Sequence, residues 1–163
     1  MDLGSEVILK FGSNEQKKNF LLPLAKGEKG LGIAFAESED EKDLSSLSTI
    51  SERRGEGYFL LGAKRFVLNA SLADSFITLY KEPGEGWTTL IGEREREGIE
   101  VHPIEKMGLK MVSFGNLLLK EVRVPLANRL GREGGGMAHI HHCHQGMGLR
   151  RSSSGLGYLS GGF

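Results

Sequence analysis

The chain has 163 residues, a size that gives one domain with a core able to fold without disulfides or metal. It is 39% hydrophobic and 26% charged, with no apolar run near the roughly 18 residues of a membrane-spanning helix, which sets aside membrane spans, collagen, coiled coils and wholesale disorder. Lys plus Arg and Asp plus Glu both number 21, so net charge offers no argument for nucleic acid or membrane binding.

The first predicted element is a helix over 13–22. Ser13 and Gln16 form a capping box, Phe20, Leu21 and Leu24 make an apolar stripe, and Pro23 should end or kink the helix near Leu22. Lys26–Gly30 reads as a turn. Short strands follow, first Leu31–Ala36, then, beyond an acidic loop at Glu37–Asp43, a Ser- and Thr-rich edge strand over Leu44–Ser51. Arg53–Gly57 reads as a hairpin turn. Tyr58–Asn69 reads as two strands with a bend at Gly62. Asp74–Tyr80, Trp87–Gly92, Gly98–Ile104 and Asn116–Val124 complete the series, and the regular turn signals between them give a mainly β sandwich or barrel. Gly is 24 of 163 residues, roughly twice its usual share of about 7%, as many tight turns require. Gly134–Gly136 closes the β region, and a helix is expected from Met137 to about Arg151.

Charge divides unevenly along the chain. Residues 1–103 hold 13 basic and 18 acidic side chains, and residues 104–163 hold 8 and 3. The single cysteine, Cys143, sets aside an internal disulfide and fits a reducing compartment. The first residues lack the basic and apolar regions of a signal peptide and the Arg-rich, acid-poor look of an organelle transit peptide, so the expected location is cytoplasmic.

Two constellations carry chemistry. His139, His141, His142, Cys143 and His144 place candidate metal ligands on one helix, with His139 and Cys143 four apart on one side. Neighbours on one helix cannot all converge, and His102 is the only histidine elsewhere, so a partly buried polar helix face is the competing reading. The run Gly131–Gly136 before that helix could cradle a phosphate through backbone N–H groups, or serve as a linker. No nucleophile elbow or isolated acid pair is found.

Several segments together resemble the acyl-CoA dehydrogenase family. Phe11–Lys18 with Leu22–Glu28 resembles the end of its N-terminal helical domain. Gly57–Ala70 with Ala73-Asp74 is similar to its strand segment ending in Trp-Ile-Thr-Asn. Glu105–Lys110, Glu121–Pro125 and Leu130–Gly136 resemble its Lys-Met-Gly and Val-Pro…Leu-Gly-Glu-Gly-x-Gly signatures. The resemblance implies a middle-domain β-barrel over 29–130. The end of an N-terminal helical domain would occupy 1–28, and a linker with the truncated start of a C-terminal helical domain would occupy 131–163. It implies FAD as cofactor, acyl-CoA as substrate, an electron-transfer flavoprotein as partner, a homo-oligomeric full-length protein and, if the parent is eukaryotic, the mitochondrial matrix as its location. Roughly a hundred residues of helical domain would precede Met1. The C-terminal region carrying the catalytic carboxylate would be missing, so no catalytic residue or metal ligand is assigned and the chain alone is expected to be inactive.

On this resemblance the flavin ring lies against Phe35-Ala36 and against Phe66-Val67-Leu68. Phe66 would lie along the isoalloxazine, with peptide groups of Ala36 and Val67 toward its polar edge. Departures from the family pattern accompany these positions. Ala36 and Leu68 replace hydroxyl-bearing residues, Glu41 and Lys42 replace Gly and Ser beside the diphosphate, and Lys110, Val112 and Phe114 stand where Arg, Ser and Thr are usual. These substitutions leave open a degenerate relative, a binding or interaction domain that does not dehydrogenate.

Overall fold

The structure is a computed structural model that describes residues 3–37, 48–84, 86–105, 107, 113–143 and 145. Positions 38–47 (including Glu41, Lys42 and the first half of the predicted edge strand), Lys110, Val112, His144 and the predicted helix beyond 145 lie outside the described residues.

Helix α1 spans Leu3–Phe11 and was not anticipated. Its signal is the spacing of Val7, Ile8 and Phe11, which fall on one helical face. Val7 and Ile8 are fully buried against Leu31, Ile77 and Ile91, and Phe11 packs beside them. Ser13 then caps α2 (Asn14–Gln16) with the expected box: its Oγ accepts the Gln16 N–H at 3.1 Å, and its own N–H donates to Gln16 Oε1 at 3.0 Å.

The helical path does not end at Leu22. A π-helical turn, Lys17–Leu21, leads into α3 (Leu22–Ala25), and the Leu22 N–H donates to the Lys17 carbonyl. The wider turn places Pro23 in the first turn of a new α-helical segment, where a missing N–H costs nothing and the ring avoids the carbonyl four residues back. Proline thus resets the hydrogen-bonding register and the chain stays helical to Ala25.

The strands are β1 (Leu31–Ala34), β2 (Ile50–Arg54), β3 (Gly57–Leu68), β4 (Ser75–Glu82), β5 (Gly86–Glu93), β6 (Ile99–Pro103), β7 (Phe114–Pro125) and β8 (Arg129–Leu130). They form one eight-stranded sheet in the order β6-β7-β3-β1-β4-β5-β8, with β2 pairing both β3 and β4. The predicted edge strand is therefore not an edge where it is described: Ile50 faces Leu61 on one side and Lys81 on the other. Strand β2 also runs further than expected, through Arg54, and the tight turn is confined to Gly55 and Glu56. β3 is one strand, not two. Gly62 marks a register shift against β7, at φ +145°, where a Cβ would sit 2.8 Å from the Thr49 Cα.

Curvature follows from the core. Leu90 of β5 and Leu117, Leu119, Val122 and Val124 of β7 share one apolar cluster with Tyr58, Phe76 and Tyr80, although β3, β1 and β4 intervene in the ladder. The sheet must curl for these to meet, which agrees with the barrel-like middle domain. Strand β4 is buried on both faces: Phe76 and Tyr80 point into this cluster, while Ile77 and Leu79 meet the helices outside. The helix α4, over 136–143, lies on that outer face through Ile140 and Cys143. Among the described residues, no helix is long and apolar enough to cross a membrane.

Candidate functional site

Strands β1 and β3 run antiparallel, with Ile33 facing Leu68. This register brings Phe35 and Ala36 alongside Phe66 and Arg65, and the Arg65 N–H donates to the Ala36 carbonyl at 2.8 Å. The five residues expected to meet the flavin therefore converge on one strand end.

Their side chains take different roles there. Val67 is fully buried in the inner cluster, and its backbone lies in register with Gly115 of β7. Phe35 packs among the outer apolar clusters near Trp87 and the helices. Ala36 and Leu68 are half-buried. Phe66 alone presents its ring, at 37% exposure.

Phe66 is exposed because the strand is irregular. Between Lys64 and Val67 the β3–β7 register shifts, and Phe66 takes φ +52°. Inward and outward positions alternate up to this point, then Arg65 and Phe66 both face outward before Val67 returns to the core. A left-handed conformation is uncommon for a bulky residue and costs on the order of 1–3 kcal/mol. The fold thus spends strain to turn an aromatic ring outward at one strand end.

Directly behind that end lies a buried ion pair that the sequence reading did not single out. Lys64 is fully buried, and its Nζ is 2.8 Å from Glu37 Oε1 and 3.4 Å from the Phe35 carbonyl oxygen. Glu37 also accepts the Ser48 N–H at 2.5 Å, the Ser48 hydroxyl at 2.9 Å and the Thr49 N–H at 2.9 Å. Burial alone would raise the Glu37 carboxyl. The Lys64 ammonium with the Thr49 and Ser48 donors overcomes this and holds it at about 2. Tyr80, whose ring lies 5.8 Å from the ammonium, is pushed far above the usual phenol range by burial. The signal was available: Lys64 occupies an inward position in the alternation Tyr58, Leu60, Gly62, Lys64.

The histidine helix is tied into the fold. His139 is 2% exposed, packs against Phe11 with the rings tilted by 51° and their centroids 4.3 Å apart, and places Nδ1 3.0 Å from the Thr89 hydroxyl. Burial, then the neighbouring His142, lowers its pKa to about 4. His142 accepts from Lys10 Nζ at 3.3 Å. Cys143 goes to a different place, the apolar cluster of Val7 and Ile77, and burial raises its thiol to about 11. Among the described residues no three of His, Cys, Asp or Glu are grouped to hold a metal. The glycine run is packed against β4 and β5: a Cβ on Gly136 would lie 2.6 Å from Leu79 Cδ1 and 2.8 Å from the Trp87 carbonyl oxygen. Glu133 within it pairs with Arg53 at 3.2 Å and with Arg129.

The sheet and its flanking helices are similar to those of known proteins. Residues 32–122 match the family model described as acyl-CoA dehydrogenase, middle domain. The "probable acyl-CoA dehydrogenase" of Bacillus subtilis is 37% identical over 137 residues, covering 82% of this chain and 23% of that protein. The solved structure of a prolyl acyl carrier protein oxidase superposes with a TM-score of 0.80 at 36% identity, covering 85% of this chain and 38% of that one. An acyl-CoA dehydrogenase from Bacillus anthracis, solved in complex with FAD, gives 0.79 at 35% identity over 85% of this chain and 24% of its own. The chain belongs to the acyl-CoA dehydrogenase family. It spans less than half the length of the curated relatives it matches, from 23% to 44% of those above 30% identity or near it.

Proposed function

We propose that this chain supplies the flavin-facing part of an acyl-CoA dehydrogenase, and that the whole protein oxidises acyl-CoA thioesters between the α and β carbons. The observation that carries the reading is the exposed Phe66 ring, turned outward on a strained bulge beside Phe35-Ala36. An aromatic face of that kind suits a planar ring system. FAD, when bound, supplies the two-electron acceptor that the oxidation needs.

In this reading Phe66 lies along the ring and Leu68 keeps water from its near side. The Ala36 carbonyl already accepts the Arg65 N–H, so the remaining peptide groups of Ala36 and Val67 serve the polar edge. Electrons pass on to an electron-transfer flavoprotein, the whole protein is a homo-oligomer, and it works in the cytoplasm or, in a eukaryote, the mitochondrial matrix.

A second reading is favoured by one observation. Ala36 and Leu68 offer no hydroxyl to the ring, which suits a relative that binds a partner without dehydrogenating. Titrating FAD against the chain and following flavin fluorescence tests both. Weak binding that tightens in the Ala36→Thr/Leu68→Thr variant, by about 0.5–1.5 kcal/mol per restored hydroxyl, supports the flavin platform. A restored variant that binds no better places the flavin elsewhere, and binding of acyl-CoA without any flavin supports the second reading.

A further inference from the structure

We propose that the buried Lys64–Glu37 pair is a positioning device that sets the angle at which the Phe35-Ala36 strand end and the Phe66 ring are presented together. The inference rests on the reading of that end as a flavin platform, and it assigns the pair a task other than holding the fold together.

The geometry places the pair where it can do this. Glu37 directly follows Ala36, and Lys64 lies two residues before Phe66, immediately ahead of the bulge. Lys64 Nζ grips both the Glu37 carboxylate and the Phe35 carbonyl, so one ammonium holds the chain leaving β1 at a backbone carbonyl and at a side chain two residues further on. The same carboxylate takes Ser48 and Thr49, and the Thr49 hydroxyl in turn donates to the Ala63 carbonyl at 3.3 Å. Residues just before the bulge, just after β1 and just before β2 are thereby joined through two side chains.

Stability alone does not explain such a pair. Taking two charges out of water costs several kcal/mol per ion, and well-packed apolar residues of similar volume often replace a buried pair with no loss. The side of β3 that Lys64 occupies is otherwise apolar, with Tyr58, Leu60 and Val67 as its inward neighbours. An aliphatic side chain would fill the space but would have no direction. The ion pair fixes which peptide of β1 sits opposite which residue of β3, at the last paired position before the ladder loses its regular register.

The test uses Lys64→Met, Glu37→Gln and the double variant Lys64→Met/Glu37→Leu, with three readouts: thermal melting, amide hydrogen exchange without flavin, and FAD titration. The Arg65 N–H, which donates to Ala36, reports the strand end directly. The single variants leave one charge buried and should melt lower. The double variant should regain most of the melting temperature, yet its Arg65 amide should exchange at least tenfold faster than in the native chain, while amides of β4 and β5 keep their protection. Its FAD affinity should fall about tenfold. A double variant with native Arg65 protection overturns the proposal, whatever the flavin does. If the native chain binds no FAD, the platform reading fails separately, and the exchange result still decides what the pair does.

Discussion

Phe66 can be replaced in two ways that separate what its ring does from what its backbone costs. At φ +52° an ordinary residue carries a penalty of roughly 1–2 kcal/mol, which glycine avoids. Glycine in a strand loses roughly 0.5–1 kcal/mol to alanine through its greater freedom when unfolded. The balance favours Phe66→Gly over Phe66→Ala by about 0.5–1 kcal/mol, against the usual order in a strand. Both variants lose the ring, which is 37% exposed, so each forfeits about 1–2 kcal/mol of burial. Urea unfolding followed by circular dichroism gives the stabilities. Flavin titration gives the other half: both variants should lose a stacking contact of about 0.5–1.5 kcal/mol, a roughly 2- to 12-fold weaker affinity, and by the same factor. An alanine variant as stable as the glycine variant would show that the bulge is not strained, and unchanged FAD binding in both would remove the ring from the site.

Three further outcomes are expected. Gly62→Ala should lower the melting temperature by roughly 3–10 °C, because its Cβ would meet Thr49 at 2.8 Å with φ at +145°; a melt within 1 °C or so of the native chain would contradict the packing. Because His139 is depressed to about 4 in the folded chain, the unfolded chain takes up its proton first as pH falls from 6.5. Stability should therefore drop between pH 6.5 and 4, by up to about 3 kcal/mol, and this slope should flatten in His139→Gln when urea midpoints are measured across the range. Cys143, buried with its thiol raised to about 11, should react with a thiol reagent at neutral pH far more slowly in the native chain than in urea; equal rates would place it at the surface.

The elements most legible in the sequence were those set by local chemistry. Ser13 and Gln16 announced their cap, and period-two alternation located the strands from Leu31 to Val124. Helix α1 escaped because its three apolar anchors, Val7, Ile8 and Phe11, are few and lie in a segment without a cap signal. The bulge at Phe66 escaped for a deeper reason. Its residues read as a continuing strand, and only pairing with β7, some fifty residues away in sequence, breaks the alternation. Likewise, nothing near Leu31 says that β1 will lie parallel to β4. The five site residues came from resemblance, not pattern. Lys64 was missed because a lysine in a strand reads by default as solvent-facing, and its burial depends on a carboxylate 27 residues earlier.

The chain enters and leaves the sheet at one place. Phe11 of α1 touches His139 and His142 of α4, and Lys10 reaches His142 across a separation of 132 residues. The sheet is thus carried between two helical segments that meet each other on its outer face, over Ile77 and Ile91. His139, held between the Phe11 ring and the Thr89 hydroxyl, is the point where the first helix, the last helix and β5 are tied to one another, so a change there is felt by both ends of the chain's path through the sheet at once.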